Sequence, residues 1–295
     1  MEKIITNSTR AWLLASRPKT LMGAAVPMLT ALSLAYRDGG GRFLWLPAIL
    51  CVAFAMLMQV DANFVNDYFD FRHGNDDESR LGPRRACAEG WITPSAMLTG
   101  IGVTTLAACL TGLPLVWWGG WWMIAVGAAC VVFCFLYTTT LSYWGLGDAL
   151  VLLFFGLVPV CVTYYLLTMS LTAETVVCAL ACGLVIDTLL IINNYRDIDN
   201  DVRVGKRTLI VRIGSRNGRR LYLACGFMAV ALLMVGSDWR LLLFCLPYLL
   251  LHVQTWREMC RINQGKALNM ILGKTSRNMF VYGLTSSAGI LLLAA

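Results

Sequence analysis

Residues 43–70 read FLWLPAILCVAFAMLMQVDANFVNDYFD. The apolar run over 43–64 is long enough to cross a bilayer, which takes about 20 mainly apolar residues. It does not fade into a neutral turn. It ends in Asn63, Asn66, Asp67 and Asp70. Spacings of three and four put these groups on one face of a helix that continues out of the membrane. The stretch predicts an α-helical membrane protein whose polar chemistry sits at helix ends.

Outward from this stretch, eight more apolar runs emerge, at 21–36, 95–116, 121–138, 147–168, 173–192, 218–236, 240–255 and 278–294. The chain is therefore expected to be all-α, with nine transmembrane helices in a single domain over 1–295. The run over 173–192 is followed by Asn193-Asn194-Tyr195-Arg196-Asp197-Ile198-Asp199-Asn200-Asp201, an echo of the first motif. Two pseudo-repeated four-helix units with the same acidic signature would produce it. An even number of helices between the motifs keeps both on one side of the membrane. Polar connections are expected over Asn66–Thr93, Asn193–Asn217 and Arg257–Arg277.

Composition agrees with a lipid environment. Of 295 residues, 58% are hydrophobic and 14% charged, against about 25% charged in a soluble domain. The 11 cysteines lie mostly inside apolar runs, which predicts buried thiols and no disulfide framework. Residues 1–20 are polar and basic and do not resemble a cleavable signal peptide. If the N-terminus is cytoplasmic, only Arg37, Arg42 and Arg240 of the 24 Lys and Arg fall on the far side. That asymmetry is what the positive-inside rule predicts. The N-terminus and the acidic loops are thus expected to be cytoplasmic, and the net charge of +7 needs no nucleic-acid partner.

The acidic segments bear carboxylates and amides without a thiolate or histidine cluster, a donor set that suits Mg²⁺. In the first, Asn66, Asp67 and Asp70 are followed by Asp76, Asp77 and Glu78, then Arg80, Arg84 and Arg85. In the second, Asn194, Asp197 and Asp201 share a helical face, with Arg196, Lys206 and Arg207 beside them. Carboxylates that hold metal, and cations that hold phosphate oxygens, suit a diphosphate head group. The apolar bundle suits a long hydrocarbon tail. One such segment is equally well explained as a solvated helix end; two matched segments on one side are much harder to explain that way. Tyr68, Phe69, Tyr137, Tyr143, Trp144 and Tyr195 are candidate faces for a carbocation, although core or interfacial packing accounts for any one of them. Asp148 serves either as a helix N-cap or in binding metal or acceptor. Asp187, within a membrane run seven residues before Asn194, and Asp61 are functional candidates because of their depth. His73 and His252 are isolated.

These motifs resemble the UbiA-type intramembrane prenyltransferases. Arg17-Pro18-Lys19-Thr20-Leu21, Arg80-Leu81-Gly82-Pro83-Arg84, Gly145-Leu146-Gly147-Asp148 and Asn193-Asn194-x-Arg196-Asp197 are most similar to the branch acting on 1,4-dihydroxy-2-naphthoate in menaquinone synthesis (MenA). The resemblance implies helices around a central cavity, Mg²⁺, a polyprenyl diphosphate donor and 1,4-dihydroxy-2-naphthoate as acceptor. It implies decarboxylating prenylation to demethylmenaquinone at a bacterial inner (plasma) membrane. It assigns Asp67, Asp70, Asp197 and Asp201 to catalysis, and these with Asn66, Asp76 and Asn194 to metal. Asn63, Asn66, Arg80, Arg84, Tyr137, Tyr143, Asp148, Asn194, Arg196 and Lys206 are then expected to bind substrate. Sister families carry an Asp where this chain has Gly74, which argues against 4-hydroxybenzoate as acceptor. That acceptor, or homogentisate, or a haem or chlorin, is the alternative within the class. An ion-coupled transporter with a two-fold repeat is the alternative outside it, though its ion sites belong at the bilayer midplane.

Overall fold

The computed structural model describes residues 4–74 and 80–293. Among the described residues all regular structure is helical. Nine long helical stretches follow a short helix at Thr9–Ala15. They are α1 (Met22–Asp38), α2 (Trp45–Arg72), α3 (Pro94–Gly119), α4 (Trp122–Leu141), α5 (Gly147–Thr168), α6 (Ala173–Arg196), α7 (Leu209–Gly236), α8 (Leu241–Ile262) and α9 (Leu268–Leu292). Six of them, α2 to α7, are long and apolar enough to cross a membrane. α1 has 17 residues, and α8 and α9 carry charged turns at one end. With so many apolar helices the chain is an integral membrane protein.

The polar connections over 193–217 and 257–277 are largely helical. α7 begins at Leu209 and α9 at Leu268, well before the apolar runs begin. A helix needs an apolar face only where it meets lipid or core; beyond that, polar turns persist if they pair with one another. Here Trp256 Nε1 donates to the Arg219 carbonyl at 2.9 Å, Arg219 bonds Asn263, and Lys274 pairs with Glu258. α7 breaks once, at Gly214, whose φ of 77° is outside the helical range.

α6 is the central helix. Two thirds of its apolar window (67%) is buried, against 6% for α4, which faces outward. It packs on α5, α7 and α9. The α5–α6 contact is close because it is made by glycines. A methyl group on Gly156 would lie 2.6 Å from the Ala179 carbonyl oxygen, and one on Gly183 would lie 3.1 Å from Leu152 Cα. Close backbone approach of this kind replaces the hydrophobic drive that lipid does not supply.

The helices alternate in direction. α2, α4, α6 and α8 end on the face where α3, α5, α7 and α9 begin. The opposite face is clamped by Arg37, which bonds Glu174 at 2.7 Å and Asp38 at 2.6 Å; Asp38 accepts from Tyr164 and Glu174 from Ser237. Exposed Trp45, Trp117, Trp121, Trp122 and Trp239 lie at that end, as in an interfacial belt. Asp61 is buried mid-helix and accepts from Thr104 and Thr105 of α3 at 2.5 and 2.9 Å, a saturated contact between helices. His252 stacks between Tyr222 and Tyr248 in the core, and all eleven cysteines are free.

Candidate active site

On the face where α2 and α6 end lies a cavity of about 110 Å³. Asn66 and Asp70 reach it from α2, and Asn194 and Asp197 from the end of α6. Asp201 comes from the short helix Ile198–Arg203, Lys206 from the turn after it, and Arg80 and Arg85 from the segment after residue 79. Tyr137, Tyr143 and Asp148 close the far wall. The two acidic motifs, remote in sequence, thus face one another across a single space.

The first motif is divided by helical geometry. Asn66 and Asp70, four apart, face the cavity. Asn63 and Asp67, also four apart, face other segments of the same chain. The Asn63 amide donates to the Ser16 carbonyl at 2.9 Å and to Thr20 Oγ1 at 3.0 Å. Asp67 is buried; its carboxylate accepts the backbone N–H groups of Ala86 and Cys87, both at 2.9 Å. It therefore anchors the segment carrying Arg85, whose Nη2 bonds Asp70 at 2.7 Å. Arg17 approaches the motif from the amino-terminal turn, 3.4 Å from Asn66 Oδ1 and 3.7 Å from Asp67 Oδ2. Its backbone is left-handed (φ 49°), a costly conformation for a non-glycine residue that packing of the following Pro18–Thr20 turn maintains.

In the second motif Arg196 is buried beneath the cavity. It grips Asp197 through Nε and Nη2 and donates to Asn193 and Asn269 at 2.9 Å. Asn269 in turn donates to the Leu81 carbonyl at 2.7 Å, lashing the two motif loops together. Asp201 is also buried, with Lys206 Nζ 3.9 Å from one oxygen and no partner on the other. Burial pushes its carboxyl up to about 6, against the pull of Lys206.

The wall opposite is built from irregular helix. Residues 137–141 and 152–157 are π-helical, a widening common at functional sites. Between them Gly145 turns with φ 79° and comes so close to the next loop that a methyl group would sit 2.2 Å from the Arg207 carbonyl. Arg207 N–H donates to the Tyr143 carbonyl at 2.9 Å, and Arg212 to that of Trp144 at 2.7 Å. Asp148 is the second residue of α5, not its N-cap, and its side chain lines the cavity.

Of the residues expected from sequence, Asn66, Asp70, Arg80, Tyr137, Tyr143, Asp148, Asn194, Asp197, Asp201 and Lys206 meet in the cavity. Asn63, Asp67 and Arg196 stand behind it. Arg84 points to solvent and pairs with Glu89. Asp76, with Asp77 and Glu78, lies outside the described residues. Arg85, one of the three arginines of the first segment, and Asn193 of the second motif also line the cavity, as do Thr138, Ser142 and Asn200, which the sequence did not single out. Arg84 and Arg85 are adjacent in sequence, and only the anchoring of residues 86 and 87 by Asp67 decides which turns inward.

Among the described residues no three His, Cys, Asp or Glu side chains stand close enough to cage an ion alone. Mg²⁺ does not need such a cage: it is commonly held by one or two carboxylates, water and substrate phosphate. The oxygen-only donors, with an Asp201 oxygen lacking any partner, fit that mode.

A profile of the UbiA prenyltransferase family matches residues 24–282. A 1,4-dihydroxy-2-naphthoate octaprenyltransferase of Haemophilus influenzae is 33% identical over 99% of both chains. One from Escherichia coli is 38% identical over 75% of this chain and 73% of its own. The fold is also that of a UbiA homolog from Aeropyrum pernix K1, with a TM-score of 0.67 over 94% of this chain and 98% of that one at 14% identity.

Proposed function

This chain belongs to the UbiA prenyltransferase family, and from that footing we propose that it transfers a polyprenyl group from polyprenyl diphosphate to 1,4-dihydroxy-2-naphthoate. Decarboxylation accompanies the transfer and gives demethylmenaquinone. The observation that carries this reading is the meeting of two amide–carboxylate helix ends, with Arg80, Arg85 and Lys206 among them, in one cavity. The names of the two bacterial relatives support the acceptor. All nine long helices are proposed to cross the bilayer, as two four-helix units and a ninth helix. The site face and N-terminus are proposed to be cytoplasmic, at a bacterial inner membrane, from the distribution of Lys and Arg.

In this reading Asn66, Asp70, Asn194, Asp197 and Asp201 would hold Mg²⁺, which when bound would supply positive charge against the diphosphate leaving group. Arg80, Arg85 and Lys206 bind the remaining phosphate oxygens through charge-assisted hydrogen bonds. Arg196 and Asn269 keep Asp197 and the Leu81 segment in register. Tyr137 and Tyr143 present aromatic faces to the allylic cation and help exclude water.

The test is a radiolabelled transfer assay on the purified protein in detergent and lipid. Farnesyl or longer polyprenyl diphosphate and Mg²⁺ are offered with 1,4-dihydroxy-2-naphthoate or with 4-hydroxybenzoate. Decarboxylated, prenylated naphthoquinol in the first tube alone, lost with EDTA, is expected. Product in the second tube alone would overturn the acceptor.

A further inference from the structure

Two carboxyl groups at the cavity take no part in the mechanism above. Asp148 lines the cavity wall, and Asp187 lies on the buried face of α6, 4% exposed. Each has a buried Oδ1 without a hydrogen-bond partner. The register of the α5–α6 contact brings them together. A methyl group on Gly156 would touch residues 179 and 183, and one on Gly183 would touch Leu152. One turn further along these antiparallel helices, position 148 comes opposite position 187. The far side brackets the same register: a methyl group on Gly147 would lie 3.3 Å from Leu190 Cδ2 and 3.8 Å from the Tyr137 hydroxyl.

Among the described residues no cation bonds either carboxylate, in contrast with Asp70, Asp197 and Asp201. Two carboxyl groups that face one another away from water, with no cation between them, carry one proton in common. We propose that Asp148 and Asp187 form such a pair and act as the proton store of the reaction, with Asp148 meeting the acceptor and Asp187 acting through it. This rests on the acceptor proposed above.

The step balances without a further reagent. The allylic C–O bond breaks and its electron pair leaves on the diphosphate. The ring carbon that bears the carboxylate bonds to the allylic carbon. The neighbouring hydroxyl becomes a carbonyl, and its proton passes to the carboxyl pair. Carbon dioxide then departs, its bonding pair returns to the ring, and the carbonyl oxygen takes the stored proton back. A store is needed because addition and decarboxylation are separate events.

The experiment compares wild type with Asp187→Asn, Asp148→Asn and the double variant, each checked by its melting transition in detergent. Two rates are read with Mg²⁺: prenyl transfer to 1,4-dihydroxy-2-naphthoate, and diphosphate release without acceptor. General acid–base groups contribute about 10²-fold or more, so kcat for transfer is expected to fall about a hundredfold in either single variant while acceptor-free release falls less than about threefold. The double variant should be no slower than the slower single, because the two act as a unit. Should Asp187→Asn not fold, Asp148→Asn and its ratio of the two rates decide alone. Parallel loss of both rates, multiplied losses in the double variant, or unimpaired transfer would overturn the pair. A wild type that releases diphosphate but makes no naphthoate product would overturn the acceptor assignment instead.

Discussion

Replacing Asp67 by Asn separates two roles that its place in the motif leaves tangled. In the structure both carboxylate oxygens accept backbone N–H groups, from Ala86 and Cys87, at 2.9 Å. All three residues are buried: Asp67 is 1% exposed, Ala86 2% and Cys87 4%. An asparagine keeps one acceptor and turns an NH₂ group on the other amide, so one charge-assisted bond is lost and one buried donor is orphaned. Such bonds contribute about 1.5–3 kcal/mol and an orphaned donor costs about 1–3 kcal/mol, with overlap between the two figures, for a loss of roughly 2–4 kcal/mol. Expressed as local opening, that is about a 30- to 700-fold rise in hydrogen exchange at the amides of residues 86 and 87. Exchange mass spectrometry in detergent reads it directly, with the melting temperature alongside. Arg85 should then lose its hold on Asp70 and transfer activity should fall. If activity vanishes while exchange at residues 86 and 87 and the melting temperature stay at wild-type values, the anchoring argument is refuted and Asp67 acts on the metal itself.

Other expectations follow from the same geometry. Arg85→Ala should raise KM for the prenyl diphosphate about tenfold or more, in line with loss of a charge-assisted contact, whereas Arg84→Ala, which breaks an exposed pair with Glu89, should shift stability by less than about 1 kcal/mol; steady-state kinetics and melting of both variants decide it. Gly145→Ala should cost about 1–3 kcal/mol, since its φ is 79° and the methyl would meet the Arg207 carbonyl at 2.2 Å; an unchanged melting temperature would show the turn to be tolerant. Asp201 has its carboxyl raised from 3.8 to about 6 in the fold, so its contribution is fully present below the ordinary value and is lost as pH rises through about 6. Metal-free protein should therefore lose stability over that interval, and stabilisation by Mg²⁺ should grow over it. A thermal-shift series in pH, with and without Mg²⁺, tests this, and an identical slope in Asp201→Asn would assign the effect to another group.

How far the site can be read from the chain differs by residue. Asn66 with Asp70, and Asn194 with Asp197, are legible because two segments of matching spacing end apolar runs on one side, where one alone would read as a solvated helix end. Tyr137 and Tyr143 are legible only as members of a larger aromatic set, because an aromatic beside a membrane run has ordinary packing roles. Arg84 and Arg85 are indistinguishable in sequence. Arg196 reads as a ligand for phosphate, yet buried in the fold it already holds Asp197, Asn193 and Asn269. The polar helical turns at the starts of α7 and α9 escape a reading based on apolar length, because they are stabilised by partners on other helices.

By itself, the sequence determined the all-helical membrane class and the two oxygen-rich motifs. Both depend on local quantities: the length of an apolar run, and the residue types at its end. The tertiary structure alone decided which member of each motif turns into the cavity, that Arg85 and not Arg84 reaches Asp70, and that Asp148 and Asp187 come opposite one another. Those outcomes depend on contacts between segments far apart in the chain. The closest of them is the glycine-lined approach of α5 to α6, whose register no single segment encodes.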